Sequence, residues 1–311
     1  MTARIPIEER RAEVLERLDQ ELRRIVTSGE YATWFSTMSR FHRYSPTNAM
    51  WIAVQAPHAT RVASYRTWQQ LDRQVRKGEA GIMVSHPKPY WVDPATGARV
   101  RPARSEQERT RLERRVGFGT GYVFDVTQTD GRPLPELGRP APTDAPAALV
   151  DHLDNWCADQ GVTVVTAPLP DGVDGYYQRH SDRIVLATSN SAGGRAATLA
   201  HELAHRQDPE LIRAHTDGDR SYYPHHRADC EGVAEGAAHV ISGRFGLDLT
   251  RHSAGYIASW VGTDLDRFKG LHQRVGEVTR SLLPPDHLDL TLAAAASRAA
   301  NQASTRRGAR R

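Results

Sequence analysis

A proline-rich stretch near the middle of the chain most strongly constrains its organisation. The stretch GRPLPELGRPAPTDAPAAL, at 131–149, holds five of the eighteen prolines among 311 residues. It can neither continue a helix nor join the interior of a sheet, because proline donates no backbone hydrogen bond. The sequence therefore predicts a domain at 1–130, a linker at 131–146, a second domain at 147–290 and a segment at 291–311 ending in a basic, disordered tail. A linker of this length and composition means that the two domains need not share a core.

Apolar periodicity and capping signals predict an α+β fold for each of the two domains. The N-terminal domain is expected to have helices at 6–27 and 28–43, a third that begins at Ser45 and Pro46, a fourth that runs from Ser64 to Gly78, and strands at 82–86, 89–93, 98–101 and 118–127. The charged run at 104–115 is expected to be a helix or an insertion. The second domain is expected to have helices at 144–160, 193–207, 227–244, 252–261 and 264–283, and strands at 162–166, 175–179 and 182–187.

Composition excludes several classes of protein. The chain has 39% hydrophobic and 25% charged residues and no apolar run of 18 residues, which argues against an integral membrane protein. The first twenty residues are too charged for a signal peptide, so we expect a cytoplasmic protein. Cys157 and Cys230 match no ligand spacing and are expected to be reduced thiols.

The pattern His201-Glu202-Leu203-Ala204-His205 is an HExxH motif in an alanine- and leucine-rich context. Spacing of four residues places both imidazoles on one face of a helix, as two ligands of one metal ion require. Glu202 points about 100° around the helix, where it can serve as general base toward a water molecule at the metal. The alternative is a surface helix with two solvated histidines, which the apolar flanks disfavour.

A third ligand is expected in the segment ADCEGVAEGAA, at 228–238. Its small residues allow a second helix to approach closely, so Glu231 can reach the metal and Glu235 can hold the second ring nitrogen of a histidine ligand. The alternative is that one or both glutamates are solvated. Two histidines and a glutamate favour Zn2+, with manganese and iron left open by ligand type.

Two further segments could contribute to a substrate site. Residues 181–187 could form an edge strand that pairs with an extended peptide, or equally an internal strand. Tyr222, Tyr223, His225 and His226 lie between the two ligand segments, where one of them could donate to an oxyanion.

Basic charge is concentrated in the N-terminal domain. Residues 1–130 contain 21 basic and 15 acidic side chains, whereas residues 131–311 contain 20 and 22. Single-stranded nucleic acid binding requires cations for phosphates and aromatic rings for bases. The candidates for this role are Arg43, Tyr44, Arg61, Tyr65, Arg66, Arg73, Arg76 and Lys77.

The runs RYSPTNAMWIAVQAPHATRVASYRTWQQLDRQVRKGEAGIMV and YVFDVTQTDG resemble the N-terminal domain of ArdC-type antirestriction proteins. The later runs ATLAHELAH, CEGVAEGAAHVIS and AGYIASWVG follow the order of the same family and resemble the wider ImmA/IrrE-type zinc metallopeptidases. The resemblance implies a small single-stranded DNA-binding domain joined to a gluzincin-like metallopeptidase domain, often encoded on mobile elements. It also implies that His201, His205 and Glu231 are the metal ligands and Glu202 the catalytic glutamate.

The sequence thus predicts a single-stranded DNA-binding protein with a zinc-dependent peptidase centre that acts on an unknown protein substrate and has no membrane partner. One alternative is a non-enzymatic DNA-protecting protein with a structural or vestigial metal site. Another is a protease whose basic domain binds an acidic protein instead of DNA.

Overall fold

The computed structural model describes residues 6–101, 112–134, 145–249 and 264–283, which have the expected α+β fold. Three helices open the chain: α1 (Ile7–Ser28), α2 (Tyr31–Arg40) and α3 (Pro46–Gln55). Gly29 ends α1 in the left-handed conformation, with φ of 71°. Ser45 caps α3 by accepting a hydrogen bond from Asn48 N, and Pro46 occupies the first turn.

A four-stranded antiparallel sheet follows, in the order β1-β5-β3-β4. The elements of this region are β1 (Val62–Ser64), α4 (Tyr65–Gln70), β2 (Arg73–Val75), β3 (Ile82–Val92), β4 (Arg99–Val100), β5 (Glu113–Asp125) and β6 (Thr129–Gly131). Strands β2 and β6 form a separate antiparallel pair. Beyond the short sheet, β3 and β5 continue as a long two-stranded ribbon.

Three local predictions in this region were wrong. The helix from Ser64 ends at Gln70 instead of Gly78, because Asp72 has a φ of 57° and the next residues pair with β6. The strands expected at 82–86 and 89–93 are one strand, since Pro87 and Pro89 lie where the outer edge of β3 has no ladder partner among the described residues. Residues 113–115, expected in a charged helix or insertion, begin β5.

The second half contains α5 (Ala145–Gln160), β7 (Thr163–Ala167), β8 (Gly175–Gln178), β9 (Arg183–Ala187), α6 (Ala192–Gln207), α7 (Pro209–Thr216), α8 (Tyr222–His225), α9 (Arg227–Arg244) and α10 (Leu265–Leu282). Its sheet has the order β7-β9-β8. Strand β9 is therefore internal, which decides against the edge strand considered for 181–187 and makes β8 an edge. Helix α7 was not predicted.

The two halves share one hydrophobic core, although the linker would allow each half to have its own. A continuous cluster of buried apolar side chains runs from Val14 to Leu283. A methyl group added at Gly236 on α9 would lie 2.8 Å from Phe35 Cζ on α2, and one at Gly276 on α10 would overlap Pro46 on α3. These close approaches let the N-terminal helices lie directly against α9 and α10.

Several expectations fall outside the described residues. They are the helix at 252–261, most of the linker and the segment at 291–311. The domain boundaries stay predictions. Within the described parts of the chain, no helix is long and apolar enough to cross a membrane. Cys157 and Cys230 are both buried, and neither forms a disulfide.

Candidate metal centre

Helix α6 places the two HExxH histidines side by side. Ser191 caps the helix by accepting a hydrogen bond from Gly194 N, and the helix follows directly after the internal strand β9. His201 Nε2 and His205 Nε2 lie 3.1 Å apart, and the ring centroids are 4.8 Å apart. The predicted shared face is thus present in the structure.

Helix α9 brings Glu231 to the same point. Its carboxylate lies 3.4 Å from His201 Nε2 and 3.7 Å from His205 Nε2. The donor atoms of these three residues all fall within 4.8 Å of one another. Buried Gly232, Val233 and Ala234 follow Glu231 on the helix, so α9 can pack closely against α6.

The three donor atoms fit a metal ion. Ligand bonds of about 2.0–2.2 Å in a tetrahedron separate the donors by about 3.3–3.6 Å, close to the distances found. His205 Nδ1 is buried and has no hydrogen-bond partner among the described groups, so its Nε2 is the nitrogen turned toward the other donors. The site could therefore hold a metal through His201, His205 and Glu231.

Glu235 lies one turn beyond Glu231 and faces the other side of the first histidine. Its carboxylate is 3.4 Å from His201 Nδ1, the position predicted for a group that orients the imidazole. Tyr223 of α8, one of the four side chains between the two ligand segments, donates its hydroxyl to Glu231 Oε1 at 2.5 Å. Its ring also meets the His205 ring edge-on, with centroids 5.9 Å apart.

Electrostatics favour positive charge at this point. Burial lowers the pKa of His201, but hydrogen bonds to Glu231 and Glu235 outweigh burial and raise the pKa to about 10. Burial raises the pKa of Glu231, but His201 and His205 hold it far below its usual range. Burial and the Glu231 carboxylate raise the pKa of the Tyr223 hydroxyl, which keeps it a hydrogen-bond donor. The carboxylates therefore stabilise a cation between them.

Helix α6 also carries Glu202. The side chain is 8% exposed, and it lines the same cleft as His201, His205 and Glu231. The cleft has a volume of about 980 Å³. One wall is the edge strand β8, from which Gly175, Tyr176 and Tyr177 line the cleft. A buried carboxylate and a strand edge that has no partner among the described residues therefore line the same cleft as the donor cluster.

Two ion pairs that sequence reasoning missed hold the end of α6. Arg206 donates to both carboxylate oxygens of Asp182 at 2.7 Å, which ties α6 to the turn before β9. Asp208 is fully buried, caps α7 and accepts from Arg274 of α10. No local signal identifies these pairs, because the partners are 24 and 66 residues apart.

The predicted DNA-binding residues do not form one free basic surface. Arg73 donates to the Thr129 and Arg132 carbonyls, and Arg76 pairs with Glu79 and Asp130. Tyr44 is half-buried and donates to the Val62 carbonyl. Tyr65 is 44% exposed and accepts from Gln74. Of the other four candidates, Arg61 is half-buried, and three are exposed: Arg43, Arg66 and Lys77.

Comparison with known proteins identifies relatives of the chain. An uncharacterized protein of Bacillus anthracis is 27% identical over 79% of this chain and 46% of its own length. An uncharacterized protein of Sinorhizobium fredii is 31% identical over 50% of this chain and 48% of its own length. The DNA primase TraC of Escherichia coli is 29% identical over 70% of this chain and 15% of its own. The chain thus spans less than half the length of these relatives.

Solved structures of the antirestriction protein ArdC from plasmid R388 also match. The Mn(II)-bound structure has a TM-score of 0.47 and 24% identity over 90% of this chain and 98% of that one. The metal-free structure has a TM-score of 0.44 and 24% identity over 79% and 84%. Residues 7–124 match the family model described as the N-terminal domain of anti-restriction factor ArdC. Residues 7–124 of this chain are thus similar to the N-terminal domain of the ArdC antirestriction family, the family that the sequence motifs resemble.

Proposed function

We propose that this ArdC-type protein binds single-stranded DNA and carries a zinc-dependent peptidase centre. The observation that carries the peptidase half is the convergence of His201, His205 and Glu231 within 4.8 Å, with buried Glu202 in the same cleft. A purely structural metal site has no need of an additional carboxylate beside its open side.

The proposed metal is zinc, held by His201 Nε2, His205 Nε2 and one carboxylate oxygen of Glu231. Two histidines and one glutamate leave a fourth position free, the arrangement of catalytic zinc sites. Glu235 holds His201 Nδ1 and thereby fixes the ring orientation that presents Nε2 to the cleft. Bound zinc supplies Lewis acidity, which polarises a carbonyl oxygen and makes water more acidic.

The proposed reaction is hydrolysis of a peptide bond. Glu202 accepts a proton from water as the water oxygen bonds to the carbonyl carbon. The same carboxyl group then returns the proton to the amide nitrogen as the C–N bond breaks. Tyr223 holds the Glu231 carboxylate through its hydroxyl and lies at the edge of the cleft.

The outer edge of β8, which pairs with no strand in the described part of the chain, provides a place for the substrate backbone. An extended peptide can add to such an edge through main-chain hydrogen bonds. Because β8 lines the cleft beside His201 and Glu202, a peptide on this edge would pass over the proposed reaction centre. This arrangement recognises extended backbone and so suits an unfolded or flexible protein segment.

The peptidase proposal is tested with two matched variants of the full chain. His205→Ala should lose the metal, and Glu202→Gln should keep it, because only the first removes a ligand. Elemental analysis measures zinc per chain, and cleavage of labelled casein measures activity. We expect one zinc in the parent and in Glu202→Gln, and a rate lowered about 10²- to 10⁴-fold in Glu202→Gln. Equal zinc in the parent and His205→Ala would refute the ligand assignment.

The single-stranded DNA half is proposed from the family of the N-terminal domain and its excess of basic residues. If about four phosphates are neutralised, the logarithm of the binding constant should fall with the logarithm of salt at a slope near −3. Fluorescence anisotropy with a labelled oligonucleotide measures the binding constant at each salt concentration. Equal binding to polyglutamate would favour the acidic-protein alternative. Undiminished protection of incoming DNA by Glu202→Gln would favour the non-enzymatic one.

A further inference from the structure

One face of the β3–β5 ribbon displays large apolar side chains to solvent. Phe118 is 70% exposed, Val116 54% and Tyr122 37%. These residues alternate along β5 and therefore share one face of the ribbon. The cross-strand register pairs Phe118 with Pro87 and Val116 with Pro89, so the ribbon face is apolar on both strands. A cluster of this kind on the surface of a protein marks an interaction site.

Cations lie at both ends of this apolar cluster. Arg114, opposite Trp91 on the same face, is exposed. At the other end the Arg10 guanidinium lies 5.6 Å from the centre of the Tyr122 ring and is fixed by a hydrogen bond to the Gly81 carbonyl. We call the surface formed by Arg114, Val116, Phe118, Tyr122 and Arg10 the ribbon face.

The surrounding ribbon is also basic. Residues 82–101 and 112–124 contain five lysine and arginine residues against Asp93 and Glu113. Glu113 is already paired with Arg115. Four residues along a strand span about 13 Å, so Arg114 and Tyr122 each lie about that distance from Phe118 on opposite sides. The exposed ring is thus flanked along one line by positive charge.

We propose that the ribbon face binds single-stranded nucleic acid, with Phe118 as a stacking platform for a base and Arg114 as a phosphate contact. The proposal takes its class of partner, single-stranded nucleic acid, from the proposed function. It places the binding site at residues that the sequence analysis did not select. Charge complementarity favours a polyanion over an apolar protein segment, and an exposed ring favours unpaired bases over duplex. The earlier candidates are less suited, because Arg73 and Arg76 are engaged in bonds within the fold.

The test measures binding of the full-length protein to a labelled 20-nucleotide oligo(dT) at several salt concentrations. Phe118→Ala should weaken binding about tenfold without changing the salt slope, because a stacked base contributes no charge. Phe118→Trp should restore the affinity. Arg114→Gln should weaken binding and reduce the slope by about 0.7, the value for one phosphate on a single strand.

Two control variants separate this site from its alternatives. Leu15→Ala removes another exposed apolar side chain, 44% exposed on α1, and should leave binding unchanged. Tyr65→Ala tests the ring favoured by the sequence and should also have little effect. If the parent protein does not bind oligo(dT), the proposed DNA function fails and this proposal with it. If the parent binds and Phe118→Ala binds equally well, only the placement on the ribbon face is refuted.

Discussion

Phe35→Ala is expected to destabilise both halves of the chain. Phe35 is 0% exposed, and its ring packs over Gly236 on α9, where an added methyl group would lie 2.8 Å from Phe35 Cζ. That methyl group would also lie 2.9 Å from Val275 on α10, so the ring fills a junction of three helices. Phenylalanine-to-alanine substitutions at sites of this kind lower the free energy of unfolding by about 3–5 kcal/mol. This loss is large compared with the total free energy of unfolding of a typical protein, about 5–15 kcal/mol.

Hydrogen exchange with mass spectrometry measures the effect segment by segment. We expect Phe35→Ala to reduce amide protection in α1 and α2 and equally in α6 and α9, because one core joins these helices. Phe118→Ala removes the same side chain from a site 70% exposed, and it should leave protection unchanged. Reduced protection confined to α1 and α2, with α6 and α9 unaffected, would refute the common core and support two independent domains.

Two further predictions concern the metal centre and its supporting helix. Gly236→Ala should cost about 1–3 kcal/mol in a denaturant titration, because the new methyl group lies within 2.9 Å of Phe35 and Val275. Its control, Gly270→Ala on α10, meets no atom within 4 Å and should be neutral or stabilising. Tyr223→Phe removes the hydroxyl that holds Glu231 and should weaken zinc binding about 10- to 100-fold in a chelator competition. Unchanged zinc affinity would refute this role for the hydroxyl.

The helices that hold the site could be predicted because their signals are local. Ser45 with Pro46 is a capping sequence, and the structure begins α3 at Pro46. The i, i+4 spacing of His201 and His205 likewise needs only helix geometry. Glu231 could be predicted from its small-residue surroundings, since these decide how closely a second helix can approach.

Long-range pairings were not predictable from such signals. Strand β2, which contains Arg73, pairs with residues more than fifty positions later. No pattern near Arg73 indicates that its guanidinium donates hydrogen bonds to backbone carbonyls in and after that partner strand. For this reason the sequence could not show which cations of the basic run are engaged within the fold. Pro87 and Pro89 indicated a break in the strand, because proline has no N–H to donate to a neighbouring strand. That loss matters only where the proline nitrogen faces a neighbouring strand. Within the described residues, the outer edge of β3 has no strand partner at Pro87 and Pro89, and the strand continues through both.

The sharing of the core follows from the composition of α9. A helix that presented only Glu231 and Glu235 to α6 could have an ordinary solvated opposite face. Instead Gly236 and Gly243 lie against Phe35 and Ser39 of α2. Gly236, which belongs to the small-residue segment expected to approach α6, therefore also accommodates the N-terminal half. The helix that carries the third proposed ligand is therefore positioned from both sides. A fragment lacking α2 would expose this small-residue face to water and lose part of the common core. Point substitutions in the full chain are therefore the better way to separate DNA binding from proteolysis.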